Sequence, residues 1–99
     1  MEFKVIWSDE AIRDLNEICT YIAGYNPAAA SKIGHGILDH VRILARFPLI
    51  GPNYPRRARG SLREIVFRSY RVFYYVSEDS RTVDILHVRH GARDEPSLP

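Results

Sequence analysis

SLREIVFRSYRVFYYVSEDSRTVDILHVRHGARD, residues 61–94, decides how this chain folds. β-Branched and aromatic residues crowd it: Ile65, Val66, Phe67, Tyr70, Val72, Phe73, Tyr74, Tyr75, Val76, Val83, Ile85 and Val88. Such side chains suit a pleated, half-buried surface. Two polar breaks divide the stretch, Arg68-Ser69 and Ser77-Glu78-Asp79-Ser80. Breaks that short leave room only for hairpins, so the spacing predicts three antiparallel strands in a meander. Alternation along the middle strand sends Tyr70, Val72, Tyr74 and Val76 to one face, and Arg71, Phe73 and Tyr75 to the other.

Upstream, residues 3–7 read as one more short strand, with Phe3, Val5 and Trp7 on a shared face. Ser8 stops it and caps a helix whose first turn carries Asp9 and Glu10, favourable charges at a helix N-terminus. Ile12, Leu15, Ile18, Cys19 and Ile22 follow at helical spacing and mark the buried stripe. Gly24-Tyr25-Asn26-Pro27 is a stop and restart: Gly24 suits the left-handed position after a helix, Asn26 caps, and Pro27 fits the first helical turn. The two helices are expected at about residues 9–24 and 27–46, ended by Pro48, with Ile33, Ile37, Val41 and Leu44 as the second stripe. So short a link makes them an antiparallel hairpin. Gly34 and Gly36 each cost roughly 1 kcal/mol against Ala inside a helix. They lie about 200° apart on the helix surface, so one close contact cannot explain both.

Residues 48–60 (PLIGPNYPRRARG) hold three prolines, two glycines and the cations Arg56, Arg57 and Arg59, an exposed basic loop. The order is strand, helix, helix, strand, strand, strand. The expected fold class is α+β: a single domain over residues 1–99 with a helical hairpin packed on one face of a four-stranded antiparallel sheet. The uncovered face, with its apolar and aromatic residues, predicts a protein partner.

Charge is unevenly spread. Residues 1–55 carry five Lys/Arg against six acids, whereas residues 56–93 carry nine Arg against Glu64, Glu78, Asp79 and Asp84, a local net of +5. Guanidinium forks bind carboxylate and phosphate bidentately and stack on aromatic rings. The partner of that half is therefore expected to be anionic, either nucleic acid or an acidic protein segment. The alternative is a solvated basic face that binds nothing.

Several classes are set aside. No apolar run approaches a membrane span, and no basic-then-apolar leader opens the chain. Cys19 is alone and reads as a small buried apolar residue, so a reduced, cytoplasmic setting is the expectation. His35, His40, His87 and His90 make no metal spacing with it, and no cofactor motif is present. One catalytic reading survives. His87 and His90 flank Arg89 on the last strand. With Arg71 on the neighbouring strand and Glu64 on the one beyond, they could cluster on the sheet and supply the base, cation and acid of metal-free RNA cleavage. The alternative is that these groups bind phosphate or carboxylate without chemistry.

The segments VIWSDEAIRDLNEICTYIAGYNPAAASKI (5–33), FPLIG (47–51), YRVFYYV (70–76) and ILHVRHGARD (85–94) together resemble the ParE/RelE superfamily of type II toxins. The resemblance implies a growth-inhibiting toxin neutralised by a cognate antitoxin, with the first strand paired to the last. It implies one of two targets. RelE-like members cleave mRNA on the ribosome with basic residues on the sheet and an aromatic residue near the C-terminus. ParE-like members lack that set and are associated with inhibition of DNA gyrase. Here Gly91 follows His90 where a tyrosine would be wanted, and the only lysines are Lys4 and Lys32. The ParE-like reading is the expectation. Arg57, Arg59, Arg63, Arg71, Phe73, Tyr75, Arg89 and Arg93 are then the candidate contacts for target or antitoxin. Arg71, His90 and Glu64 are catalytic only under the RelE-like alternative.

Overall fold

A computed structural model of the chain describes residues 2–54 and 62–91. Strand β1 (Lys4–Trp7) leads into α1 (Asp9–Ala23) and α2 (Pro27–Arg42), which tightens into a 3₁₀ turn at Ile43–Ala45. Strands β2 (Leu62–Phe67), β3 (Tyr70–Ser77) and β4 (Thr82–His90) follow. The caps form as the sequence indicates: Ser8 Oγ accepts from the Ala11 amide and Asn26 Oδ1 from the Ala29 amide, each at 3.0 Å. Gly24 departs from expectation. It stays in the right-handed region (φ −61°), because α1 ends on bonds from the Tyr25 and Asn26 amides back to the Ile22 carbonyl. The left-handed positions fall instead in the two hairpin turns, at Arg68 and Arg81, and at Gly91 after β4.

The sheet order is β1-β4-β3-β2, so the first strand does pair with the last. β2, β3 and β4 form the antiparallel meander, but β1 runs parallel to β4, which makes the sheet mixed rather than antiparallel throughout. Short turns fix the sense of β2, β3 and β4. No short turn fixes the sense of β1, which pairs with a strand nearly eighty residues away. The parallel arrangement solves an edge problem. β1 is four residues long and β4 nine, so β4 outruns its neighbour after Ile85. α1 covers the remainder: the Ser8 amide donates to the Ile85 carbonyl, Ser8 Oγ donates to the Leu86 carbonyl, and the Val88 amide donates to Asp14 Oδ2 at 3.0 Å. Edge groups that would be open to another chain are thereby satisfied within the molecule.

The core lies between the hairpin and one sheet face. Ile37, Val41 and Leu44 from the second helical segment meet Val72, Tyr74 and Val76 of β3 and Val83, Ile85 and Val88 of β4. The two helix glycines serve two different neighbours. A Cβ on Gly34 would stand 3.0 Å from Cys19 Sγ of α1, while one on Gly36 would enter the space of the Phe67 ring at the end of β2. Their 200° separation is what lets α2 approach a helix on one side and the sheet on the other.

Tyr74 ties the loop after α2 to the core. Its ring is fully buried, and its hydroxyl accepts from the Gly51 amide at 3.0 Å. Arg63 clamps the same loop from β2 by donating to the carbonyls of Gly51 (2.6 Å) and Leu49 (3.3 Å). Burial pushes the Tyr74 pKa up, opposed by the Gly51 amide and by Arg63. The neutral phenol is therefore the form that the fold favours. Stability from this source is present below the unfolded tyrosine pKa of about 10 and falls as pH rises beyond it. Tyr74→Phe leaves the buried Gly51 amide unsatisfied and costs about 1–3 kcal/mol in urea unfolding at pH 8. The variant's deficit should shrink at pH 11. An unchanged deficit would remove the phenol from the linkage.

Candidate functional site

The face of the sheet away from the helices carries most of the described residues among those singled out by sequence: Glu64, Arg71, Phe73, Tyr75 and Arg89. Arg71 on β3 lies beside Glu64 on β2, with Nε donating to Oε2 at 2.5 Å. Strand alternation places both side chains on this face, together with Phe73. The Arg71 guanidinium also sits over the rings of Phe73 (4.9 Å) and Tyr54 (5.3 Å), and those rings meet edge to face at 4.8 Å. Phe73 was expected to be exposed. It is wholly buried instead, because Tyr54 folds over it from the loop and Arg71 crosses its face. Tyr75, at 45% exposure, is the aromatic that this face does present, with Val66 on the neighbouring strand.

Further along β4, a second cation of this face is held from α1. Arg89 pairs with Asp14 (2.5 Å), and Glu10 stands 3.9 Å from the same guanidinium. His87 lies 2.5 Å from Glu10 through Nδ1. A carboxylate only accepts, so the Nδ1 proton is the one donated there. Arg89 is 3.4 Å from that nitrogen. The result is two compact clusters, Glu64–Arg71–Tyr54–Phe73 and Glu10–His87–Arg89–Asp14, in which each cation has a carboxylate partner. Glu10, Asp14 and Tyr54 were not among the sequence candidates.

His90 is elsewhere. One residue beyond Arg89, its side chain turns to the helix side, where its ring lies 5.1 Å from that of Tyr70. Burial raises the Tyr70 pKa, with Tyr25 and then Cys19 adding to it. In register, Arg71 pairs with Arg89 and Tyr70 with His90, so Arg71 and His90 project from opposite faces of the sheet. The trio Glu64, Arg71 and His90 is thus divided, two on one face and one on the other. Arg63 is drawn into the fold by the Leu49 and Gly51 carbonyls. Arg57, Arg59 and Arg93 lie outside the described residues. Among the described residues no group of His, Cys, Asp and Glu is arranged to hold a metal, and no helix is long and apolar enough to cross a membrane.

This two-layer fold is shared with small bacterial toxins. The chain is 34% identical over 91 residues to toxin RelE2 of Caulobacter vibrioides, a match covering 91% of this chain and 97% of that one. Among solved structures, the chromosomal ParDE system of P. aeruginosa superimposes with a TM-score of 0.75 at 20% identity, covering 90% of this chain and 96% of that chain, a likeness of fold. The RelBE2 toxin–antitoxin complex of Mycobacterium tuberculosis gives 0.60 at 27% identity over 91% and 99%. Residues 5–95 match the family of ParE toxins of type II toxin–antitoxin systems, and the chain belongs to that family. It is a toxin of the ParE/RelE superfamily.

Proposed function

We propose that this toxin arrests growth by binding DNA gyrase, performs no chemistry of its own, and is neutralised by a cognate antitoxin. The observation that carries this reading is the placement of Arg71 and His90 on opposite faces of the sheet. Metal-free RNA cleavage needs a base, an acid and a cation around one phosphate. Here Arg71 is engaged by Glu64, Arg89 by Asp14 and His87, the histidine that does share their face, by Glu10, while His90 faces the helices. A binding activity makes no such demand on geometry. The competing reading, mRNA cleavage on the ribosome, draws on the relative called RelE2 and on the Glu64–Arg71 pair that does share one face.

The antitoxin reading is supported by the solved toxin–antitoxin complex among the structural neighbours and by the basic balance of residues 56–93. Arg57, Arg59, Arg71, Arg89 and Arg93, with Tyr75, are the contacts assigned to an acidic antitoxin segment or to the target; Phe73 and Arg63 support them from within. The setting is cytoplasmic, where gyrase and ribosomes work. The reading is tested in cells by inducing the toxin with and without its antitoxin and following plasmid topology and mRNA integrity together. Loss of plasmid negative supercoiling with intact messages, reversed by the antitoxin, is the expected result. Cut messages on normally supercoiled DNA would overturn it.

A further inference from the structure

On the helix side of the sheet, away from the arginines, α1 and the ends of β3 and β4 enclose a concavity of about 340 Å³. Its walls are rings: Tyr21 from the last turn of α1, Tyr25 from the link to α2, Tyr70 from β3 and His90 from β4, with the exposed Glu17 beside them. Tyr21 and Tyr25 are 76% and 71% exposed, and they meet edge to face at 5.8 Å, forming a corner. Tyr70 and His90 form a second tilted pair at 5.1 Å. Among the described residues neither Lys nor Arg lines the concavity, and no cation pairs with Glu17. The core explains Ile18 and Ile22 beneath, but it explains neither exposed tyrosine.

We propose that this concavity receives an arginine side chain from a protein partner. Aromatic faces carry negative potential and attract a guanidinium or ammonium lying over them, and a carboxylate beside them adds to that attraction. Arginine suits the site better than lysine, because a planar guanidinium stacks on a ring and can also donate in a fork to Glu17. A nucleobase would also stack on tyrosines, but its phosphate would meet Glu17 with no Arg or Lys among the described wall residues to offset the repulsion. The charge preference here is opposite to that of the Arg-bearing face. A partner engaging both would present an acidic surface to one side of the sheet and a basic residue to the other. The inference does not depend on gyrase being the target.

The test uses the full 99-residue chain and Nα-acetyl-arginine amide as probe, followed by NMR of the tyrosine and histidine rings. Saturable shifts at Tyr21, Tyr25, Tyr70 and His90 are expected. Glu17→Gln should weaken binding about two- to fivefold, the scale of an exposed ion pair. Tyr21→Leu, which keeps apolar bulk but removes the ring, should weaken it about two- to fivefold as well. Nα-acetyl-citrulline amide, the neutral isostere, should bind more weakly than either variant binds the arginine probe. Equal binding of citrulline would make the site merely apolar and overturn the proposal. Preference for uridine monophosphate would do the same in favour of a base platform. Shifts that appear only after Arg93→Ala would identify the chain's own arginine as the occupant and exclude a partner's.

Discussion

Asp14→Ala unfolds at a markedly lower urea concentration than the wild-type toxin. Removing one partner of a largely buried ion pair costs about 3–5 kcal/mol, because the other charge is left without compensation. Asp14 is only 12% exposed and Arg89 24%. Glu10, 3.9 Å from the Arg89 guanidinium, takes over part of the charge and holds the loss near 3 kcal/mol, the lower end of that range. The carboxylate has a second duty, accepting the Val88 amide on the edge of β4 that lies beyond the end of β1. Asp14→Asn keeps an oxygen for that amide and loses only the charge, so it should recover part of the deficit. A double-mutant cycle with Arg89→Ala isolates the pair. A loss within about 0.5 kcal/mol for Asp14→Ala, the range of ordinary surface changes, would show that the carboxylate faces solvent.

Ile37→Ala is the second large effect. Ile37 is wholly buried where α2 meets the sheet, between Val41 and Leu44 on its own segment and the β3–β4 core. Truncating such a side chain costs about 2–5 kcal/mol, from lost transfer free energy and the cavity left behind. Ile37→Val should cost about 0.5–1.5 kcal/mol. Ile18→Ala is expected to cost less than Ile37→Ala, because Ile18 is only partly buried against the same core. Equal midpoints for Ile37→Ala and wild type would contradict the packing of α2 on the sheet.

These two residues mark what local sequence can and cannot convey. Ile37 was visible because helical spacing puts it on a stripe with Ile33, Val41 and Leu44, a pattern read within a few turns. The meander was visible for a similar reason: two short breaks dictate the sense of three strands. Asp14 looked like a polar residue off the α1 stripe. Its partners Val88 and Arg89 are over seventy residues away, and nothing periodic links them. The sense of β1 was hidden by the same distance. Alternation assigned Phe73 to its face correctly, but it could not show that Tyr54 and Arg71 close over it. Arg71 and His90 each looked suitable for catalysis, and only the register of β3 on β4 separates them. Gly36 could be explained only once Phe67 was seen to occupy the space of its missing Cβ.

The gyrase reading meets its most direct test with purified toxin, freed of antitoxin, and two targets in parallel. One arm follows gyrase supercoiling and the accumulation of cleaved enzyme–DNA complexes; the other follows mRNA on programmed ribosomes. Wild type and His90→Ala should both stall gyrase and leave the mRNA intact, since His90 stands on the helix side, away from Arg71. Cleavage of ribosome-bound mRNA by wild type that falls about 10²–10⁴-fold in His90→Ala, the contribution of a general acid or base, would contradict it.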